Sequence, residues 1–341
     1  MAKREALDAA PPGRVTIAQV ASRAGVSATT VSHVLSGKRV VGAETRGTVL
    51  AAIKELGYRP NHVARNLRTR QSHMIAVVVP DITNPFYAVL TRGLADAVDA
   101  AGYGTYVCNT DGLHERERKF FQDVQDRGVD GIVLASGETA SGIQFGPADY
   151  GTPIVCVGEH LAHPTSDSVM ADDERGSYDA VSYLISQGYK RIAMVQGPVR
   201  SADARTRAFR NAMQAARRKV PSTYLVRGDW TRIGGFEATQ RLLDQPKPPD
   251  AVFCANDLMA MGALDAAHRK GLVVPDDLAV MGFDDVDAAT VVAPPLTTVR
   301  NPAYETGSAA GDLLMSRMSG RYVDAGRTVV LPCPVIARDS A

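Results

Sequence analysis

The chain has 341 residues, 45% of them apolar and 22% charged, which is enough for two or three domains with sizeable cores. No apolar run approaches the roughly eighteen residues needed to span a bilayer, MAKREALDAAPPGR lacks the apolar centre of an export signal, and the four cysteines form no CxxC pair. These features exclude secreted, membrane and disulfide-scaffold classes; the cysteines read as buried, reduced thiols in a cytoplasm. The net charge of +1 conceals an asymmetry. Residues 1–73 hold twelve Lys and Arg against four Asp and Glu, a surplus of eight cations, and the remainder has seven more acids than bases. A basic head on an acidic body points to a polyanion at the head, with a merely solvated basic surface as the alternative.

Residues 1–13 read as a disordered leader ending in Pro11-Pro12-Gly13. Thr16-Ile17-Ala18-Gln19 fits a capping box, so a helix is expected from Ile17 to the stop at Gly25. Ser27 can cap a second helix from Ala28 to about Leu35, with Val31 and Val34 inward, and a third is expected from about Ala43 to Leu56 before Gly57. Two short helices around a Gly-containing turn form a helix-turn-helix. The second helix leaves Ala28, Thr29, Ser32 and His33 outside, where small and polar groups can reach base edges. Lys38, Arg39 and Arg46 would flank them as phosphate contacts, and a plain solvent-facing role stays open for His33. Residues 60–72 form either a linker or a short hinge helix that folds on DNA, with Leu67 as an apolar wedge in the minor groove.

VTIAQVASRAGVSATTVSHVLSG, then ETR, then AAIKELGYRPNHVARNLRTRQS resembles the DNA-binding head and hinge helix of the LacI/GalR family of bacterial transcriptional regulators. The resemblance implies major-groove contacts from Ala28, Thr29 and His33 and intercalation by Leu67. The DNA-binding set it implies is Thr16, Ser27, Ala28, Thr29, Ser32, His33, Lys38, Arg39, Asn61, Ala64 and Leu67.

From His73 onward, apolar runs at 74–79, 103–108, 131–135, 153–157, 191–195, 251–254 and 278–283 alternate with helical stretches at 86–101, 114–128, 173–188, 205–219, 231–244 and 256–271. Near-continuous apolar strands between helices predict doubly wound parallel sheets in two lobes. Such sheets bind ligands beyond their strand C-termini, so the polar residues after each run are candidates: Asp81, Asn84, Asp111, Asp172, Arg205, Asn256, Asp257, Asp284 and Asp285, with Phe86 and Trp230 as aromatic faces. Carboxylates, amides, an Arg fork and a flat ring suit a sugar or nucleoside. Asp and Asn after strands also cap helices, and Asp81, Asp111 and Asp257 are read mainly that way.

PDITNPFY, VMADDERG, GPVRSADARTRAF, GDW, CANDLMAMG and MGFDDVDAATVVAPPLTTVR resemble successive signatures of the same family, which implies a two-lobed periplasmic-binding-protein-like core. The resemblance places Asn84, Phe86, Asp172, Arg205, Trp230, Asn256 and Asp284 at an effector cleft, with carbohydrate favoured by the tryptophan and with Arg205 or Arg207 facing the cleft. The expected architecture is an all-α helix-turn-helix head at 14–59, a hinge helix and linker at 60–72, and an α/β core at 73–341. Its first lobe would take about 73–171 and 301–329, and its second 172–300 and 330–341. The expected function is a cytoplasmic, homodimeric, ligand-responsive regulator, reading as a repressor, on a pseudo-palindromic duplex operator. No cofactor, metal or membrane partner is expected. A transport-type sugar-binding protein and an α/β enzyme are the competing classes. The chain shows no phosphate loop, GxSxG elbow or HExxH.

Overall fold

A computed structural model describes residues 15–37, 39–59, 71–135, 151–158, 166–198 and 203–341, in two units, Met1–Gln71 and Ser72–Ala341. In the first, α1 (Ile17–Ala24), α2 (Ala28–Ser36) and α3 (Ala43–Leu56) enclose a small core of Val20, Val31 and Val49, each with no exposed surface. The capping box at Thr16 forms as the spacing predicts: the Gln19 N–H donates to Thr16 Oγ1 at 3.4 Å and the Thr16 N–H to Gln19 Oε1 at 2.8 Å. Ser27 Oγ accepts from the Thr30 N–H at 3.1 Å, and α1, α2 and α3 stop at Gly25, Gly37 and Gly57, all left-handed. Glycine meets that conformation without a Cβ penalty.

The second unit is built on two parallel sheets. β1 (Met74–Val79), β2 (Gly104–Asn109), β3 (Gly131–Leu134), β4 (Ile154–Val157), β5 (Asp167–Ala171) and β11 (Thr328–Leu331) form one, in the order β11-β5-β4-β3-β1-β2. β6 (Ile192–Gln196), β7 (Leu225–Arg227), β8 (Ala251–Cys254) and β9 (Ala279–Met281) form the other, in the order β7-β6-β8-β9. β10 (Thr298–Val299) and β12 (Val335–Ile336) pair antiparallel and, through Val299 and Val335, join the core of the second sheet. The expected strands are found with their ends shifted by a residue or two. β5, β7, β10, β11 and β12 lie outside the seven runs expected as strands. Both orders reverse next to the first strand of their sheet, so crevices open beyond β1/β3 and beyond β6/β8.

The helices are α4 (Pro85–Asp99), α5 (His114–Asp126), α6 (Asp173–Ser186), α7 (Asp203–Ala215), α8 (Arg232–Leu243), α9 (Asp257–Arg269) and α10 (Ala303–Met318). α7 ends four residues earlier than its pattern suggests, and Arg217 follows in the left-handed region at φ 57°. α10 is an element the apolar pattern did not show. Its buried face is Ala303, Gly307, Ala310 and Gly311 beside Leu313 and Leu314, and it lies against α4 at backbone distance. A Cβ on Gly307 would land on the Leu90 carbonyl oxygen, and one on Gly93 would land on that of Tyr304. Gly307→Ala is therefore expected to destabilise the core by about 2–3 kcal/mol, because backbone on both sides prevents relief by rotamer change. A shift in the urea midpoint measures it.

The C-terminal end of α10 is tied to the first sheet through Asp167, which has no exposed surface. It accepts from Arg317 at 2.8 Å and from Arg327 at 2.6 Å. Burial opposes its charge, yet these hydrogen bonds hold its carboxyl well below the usual range. All four cysteines are buried free thiols. No described helix is long and apolar enough to cross a membrane.

Candidate effector site and DNA-reading face

Arg205 lies in the first turn of α7, directly beyond β6, where the reversed strand order opens the second sheet. Its side chain is 11% exposed. Nε donates to Asp173 Oδ2 at 3.1 Å, Nη1 donates to the Ala255 carbonyl, and Nη2 lies 3.7 Å from Asp284 Oδ1. The guanidinium stacks 3.7 Å from the Phe283 ring centroid and stands 5.9 Å from that of Trp230. Arg207, two residues on, is half exposed and pairs with Glu174 at 3.1 Å. The alternation of a helix accounts for this, since positions i and i+2 point to different sides. Of the two arginines, Arg205 is the one held in the strand-end cluster.

Trp230 follows β7 at φ 71° and packs across Gly197, where any Cβ would strike its ring. Asn256 holds it from behind: Nδ2 donates to the Trp230 carbonyl at 3.0 Å while Oδ1 caps α9 through the Met259 N–H at 2.9 Å. Asp284 and Asp285 occupy two successive left-handed positions, φ 116° and 56°. Strain of this kind in non-glycine residues persists only where surrounding contacts impose it. Here Asn301 Nδ2 donates to Asp284 at 3.1 Å and Arg338 to Asp285 at 2.5 Å. Burial pushes the Asp284 carboxyl up to about 6, against the opposing pull of Arg205 and the Asn301 hydrogen bond. Among the described residues, the buried oxygens Asp173 Oδ1 and Asn301 Oδ1 have no hydrogen-bond partner. Such acceptors favour a donor such as a hydroxyl group.

The structure thus brings Arg205, Trp230, Asn256 and Asp284 together. Asn84, Phe86 and Asp172 are placed differently. Asn84 caps α4 by accepting from the Phe86 N–H at 3.1 Å, and Phe86 meets Tyr87 edge-on at 5.1 Å between ring centroids. Tyr87 is the residue of this pair that senses the cluster. Burial, then the charge of Asp284, raises its phenol well above the ordinary value, while Arg205 opposes the shift. Asp172 caps α6 through the Arg175 N–H at 3.0 Å and borders an open depression of about 490 Å³ with Glu174, Arg175 and Tyr178. Its neighbour Asp173 makes the contact to Arg205. Asp173, Tyr87 and Asn301 were missed from sequence. The first two stood inside the motifs VMADDERG and PDITNPFY, and Asn301 had no local signal.

The capping expectation for Asp81, Asp111 and Asp257 is overturned. Asp81 closes a turn by accepting from the Thr83 N–H at 2.8 Å, and Asp111, at φ 53°, pairs with Arg116. Asp257 is wholly buried in the first turn of α9 and accepts from the Val286 N–H at 2.9 Å and the Thr298 hydroxyl at 2.5 Å. Burial, reinforced by Asp284, pushes its carboxyl up to about 8. The folded protein therefore holds this proton more tightly than the unfolded chain, and stability falls as pH rises from about 4 towards 8. Asp257→Asn keeps an acceptor for Val286 and a partner for Thr298. It is expected to flatten the decline in melting temperature between about pH 5 and pH 8.5, leaving a smaller slope from Asp284. Thermal scans at both pH values test this.

In the head, Ala28 and Thr29 are exposed on α2, together with Ser27 and Arg39. Ser32 and His33 are half-buried, because they flank the Val31/Val34 stripe against α1 and α3. Thr16 is half-buried in its capping box. Lys38, Asn61, Ala64 and Leu67 lie outside the described residues.

Residues 16–61 match the model of bacterial regulatory proteins, lacI family, and 181–341 match that of a periplasmic binding protein-like domain. The ribose operon repressor of Escherichia coli (strain K12) is 38% identical over 320 residues, covering 93% of this chain and 97% of that protein. Among solved structures, a lac repressor dimer bound to operator and the anti-inducer ONPF aligns at a TM-score of 0.87. It is 28% identical and covers 96% of this chain and 99% of that one. A LacI family transcriptional regulator from Enterococcus faecium with bound ribose aligns at 0.71, with 29% identity over 79% of this chain and 98% of its own. From the capped helices of the head to the strand-end cluster of the core, this chain belongs to the lacI family of bacterial regulatory proteins.

Proposed function

We propose that this protein is a cytoplasmic repressor that binds a pseudo-palindromic operator as a homodimer and changes its operator affinity when a small carbohydrate occupies the Arg205 cluster. The observation that carries the reading is one chain holding both an open, capped helix-turn-helix and a buried guanidinium among carboxylates at a strand-order reversal. Ala28, Thr29, Ser32 and His33 read base edges, while Thr16, Ser27, Lys38 and Arg39 position the head on phosphates. The hinge residues Asn61, Ala64 and Leu67 engage the minor groove at the operator centre.

In the core, Arg205, Asp284 and Asn256 bind hydroxyls and Trp230 offers its face to the sugar ring. Asp173 and Tyr87, next in sequence to Asp172 and Phe86, complete the surround. The ribose-bound relative and the repressor of a ribose operon support a pentose or related sugar. Occupancy acts through a population shift: a ligand that binds one arrangement of the core better biases the hinges toward or away from the groove. The role is regulation of transcription and not catalysis.

Selection of genomic fragments by the full-length protein, repeated with a panel of sugars, tests the reading. Recovery of a palindrome whose enrichment changes with one sugar is expected. No enrichment under any condition contradicts it.

A further inference from the structure

At the opposite end of the second sheet, where β6, β7 and β8 begin, lies a depression of about 440 Å³. Its rim carries Lys190, Arg191, Lys219 and Lys247. Its floor is Ile192, Met213 and Tyr224, all nearly inaccessible, with the Tyr224 hydroxyl donating to the Lys247 carbonyl at 2.6 Å. The five residues of β6 put about 13 Å of strand between this depression and the Arg205 cluster.

Cations at this end of an α/β sheet have an ordinary role, neutralising helix C-termini, but these lysines lie beyond it. Lys190, Lys219 and Lys247 each stand four residues past the last residue of α6, α7 and α8, at Ser186, Ala215 and Leu243. Dipole effects fade beyond the last turn. Free carbonyls there are already met by the N–H groups of Gln187, Arg217, Arg218 and Asp244. Arg191 is occupied, donating to the Pro248 carbonyl at 2.8 Å and lying 3.7 Å from Asp250. The three lysine side chains have no ion pair or hydrogen bond among the described residues, and no carboxylate lines the depression. Three unpaired lysines lining one cavity, with Asp250 beside it held by the Lys190 and Arg191 N–H groups, leave a surplus of positive charge that favours an anionic guest, and the volume suits a small molecule.

We propose that this depression binds a small phosphorylated metabolite, its phosphate among the three lysines and its carbon skeleton on the apolar floor, as an anion site separate from the Arg205 cluster. Calorimetry on the full-length protein tests it with glucose 6-phosphate, ribose 5-phosphate, inorganic phosphate and glucose as probes, while Trp230, the sole tryptophan, reports the other site by fluorescence.

The expected result is binding of at least one sugar phosphate without a change in tryptophan emission, and weaker binding of phosphate and glucose. A Lys190→Gln/Lys219→Gln/Lys247→Gln variant, whose fold is checked by circular dichroism, is expected to weaken that binding about tenfold or more. The proposal is overturned if neither sugar phosphate binds at about 10 mM, if the variant binds as tightly as the parent, or if binding shifts Trp230 emission equally in both. Inorganic phosphate binding as tightly as the sugar phosphates overturns the assignment to an organic ligand.

Discussion

Arg205→Ala is expected to abolish the response to effector and to lower the stability of the core together. The guanidinium is nearly buried between Asp173 and Asp284, and Asp284 sits in a strained turn where burial already pushes its carboxyl up to about 6. Removing one member of a buried ion pair leaves the other charge without compensation, which costs about 3–5 kcal/mol. Part of that cost disappears as pH falls, because Asp284 takes up a proton more readily once Arg205 no longer holds its carboxyl down. Arg205→Ala is thus expected to lose more stability at pH 8 than at about pH 5.5, by urea unfolding. Arg205→Lys retains the charge but lacks the planar fork that reaches Asp173, Asp284 and the Ala255 carbonyl at once. It is expected to recover much of the stability while still weakening effector binding by about tenfold or more. Recovery of full effector affinity in the lysine variant would show that charge alone suffices.

Thr29→Glu separates the fold of the head from its reading of DNA. Thr29 is exposed in the first turn of α2, which has no acidic residue, and a carboxylate at a helix N-terminus is stabilising by about 0.3–1 kcal/mol. The same carboxylate facing a polyanion is repelled, and like charges set against each other cost several kcal/mol. The expected outcome is a head that melts no lower than the parent, while operator affinity falls by about a hundredfold or more. Circular dichroism and fluorescence anisotropy on one preparation measure both. An unchanged operator affinity would move base reading to another face of the head.

The parts of this molecule that were legible in sequence are those whose cause is local. Thr16 with Gln19 and Ser27 before Ala28 specify caps through side chains three residues from their partners, and β1 and β8 are apolar because both faces are covered. α10 escaped notice because the part of its buried face against α4 is alanine and glycine at backbone distance, and its large buried apolar residues, Leu313 and Leu314, are confined to one turn. β10 and β12 are two residues each and exist only through their mutual pairing across 298–336.

The site divides in the same way. Arg205 was legible as the basic residue after a buried strand. The choice of Asp173 over Asp172 depends on which neighbour caps α6 and which turns to Arg205. Asp257 resembled a helix cap by position. Asn256 takes that role, and Asp257 serves instead as a buried acceptor for Val286 and Thr298, groups 29 and 41 residues away. Asn301 reaches Asp284 from the chain segment that follows β10, a contact only the tertiary fold creates.

The proposed function requires a coupling between the DNA-reading head and the Arg205 cluster. The most direct measurement is operator affinity of the full-length protein by fluorescence anisotropy, with and without a saturating sugar from the panel that calorimetry shows to bind. A change of about 5- to 150-fold is predicted, in whichever direction the ligand acts, with the same factor in sugar affinity when operator is present. Tight sugar binding that leaves operator affinity unchanged would rule out that coupling and leave a carbohydrate-binding core with no regulatory link to its basic head.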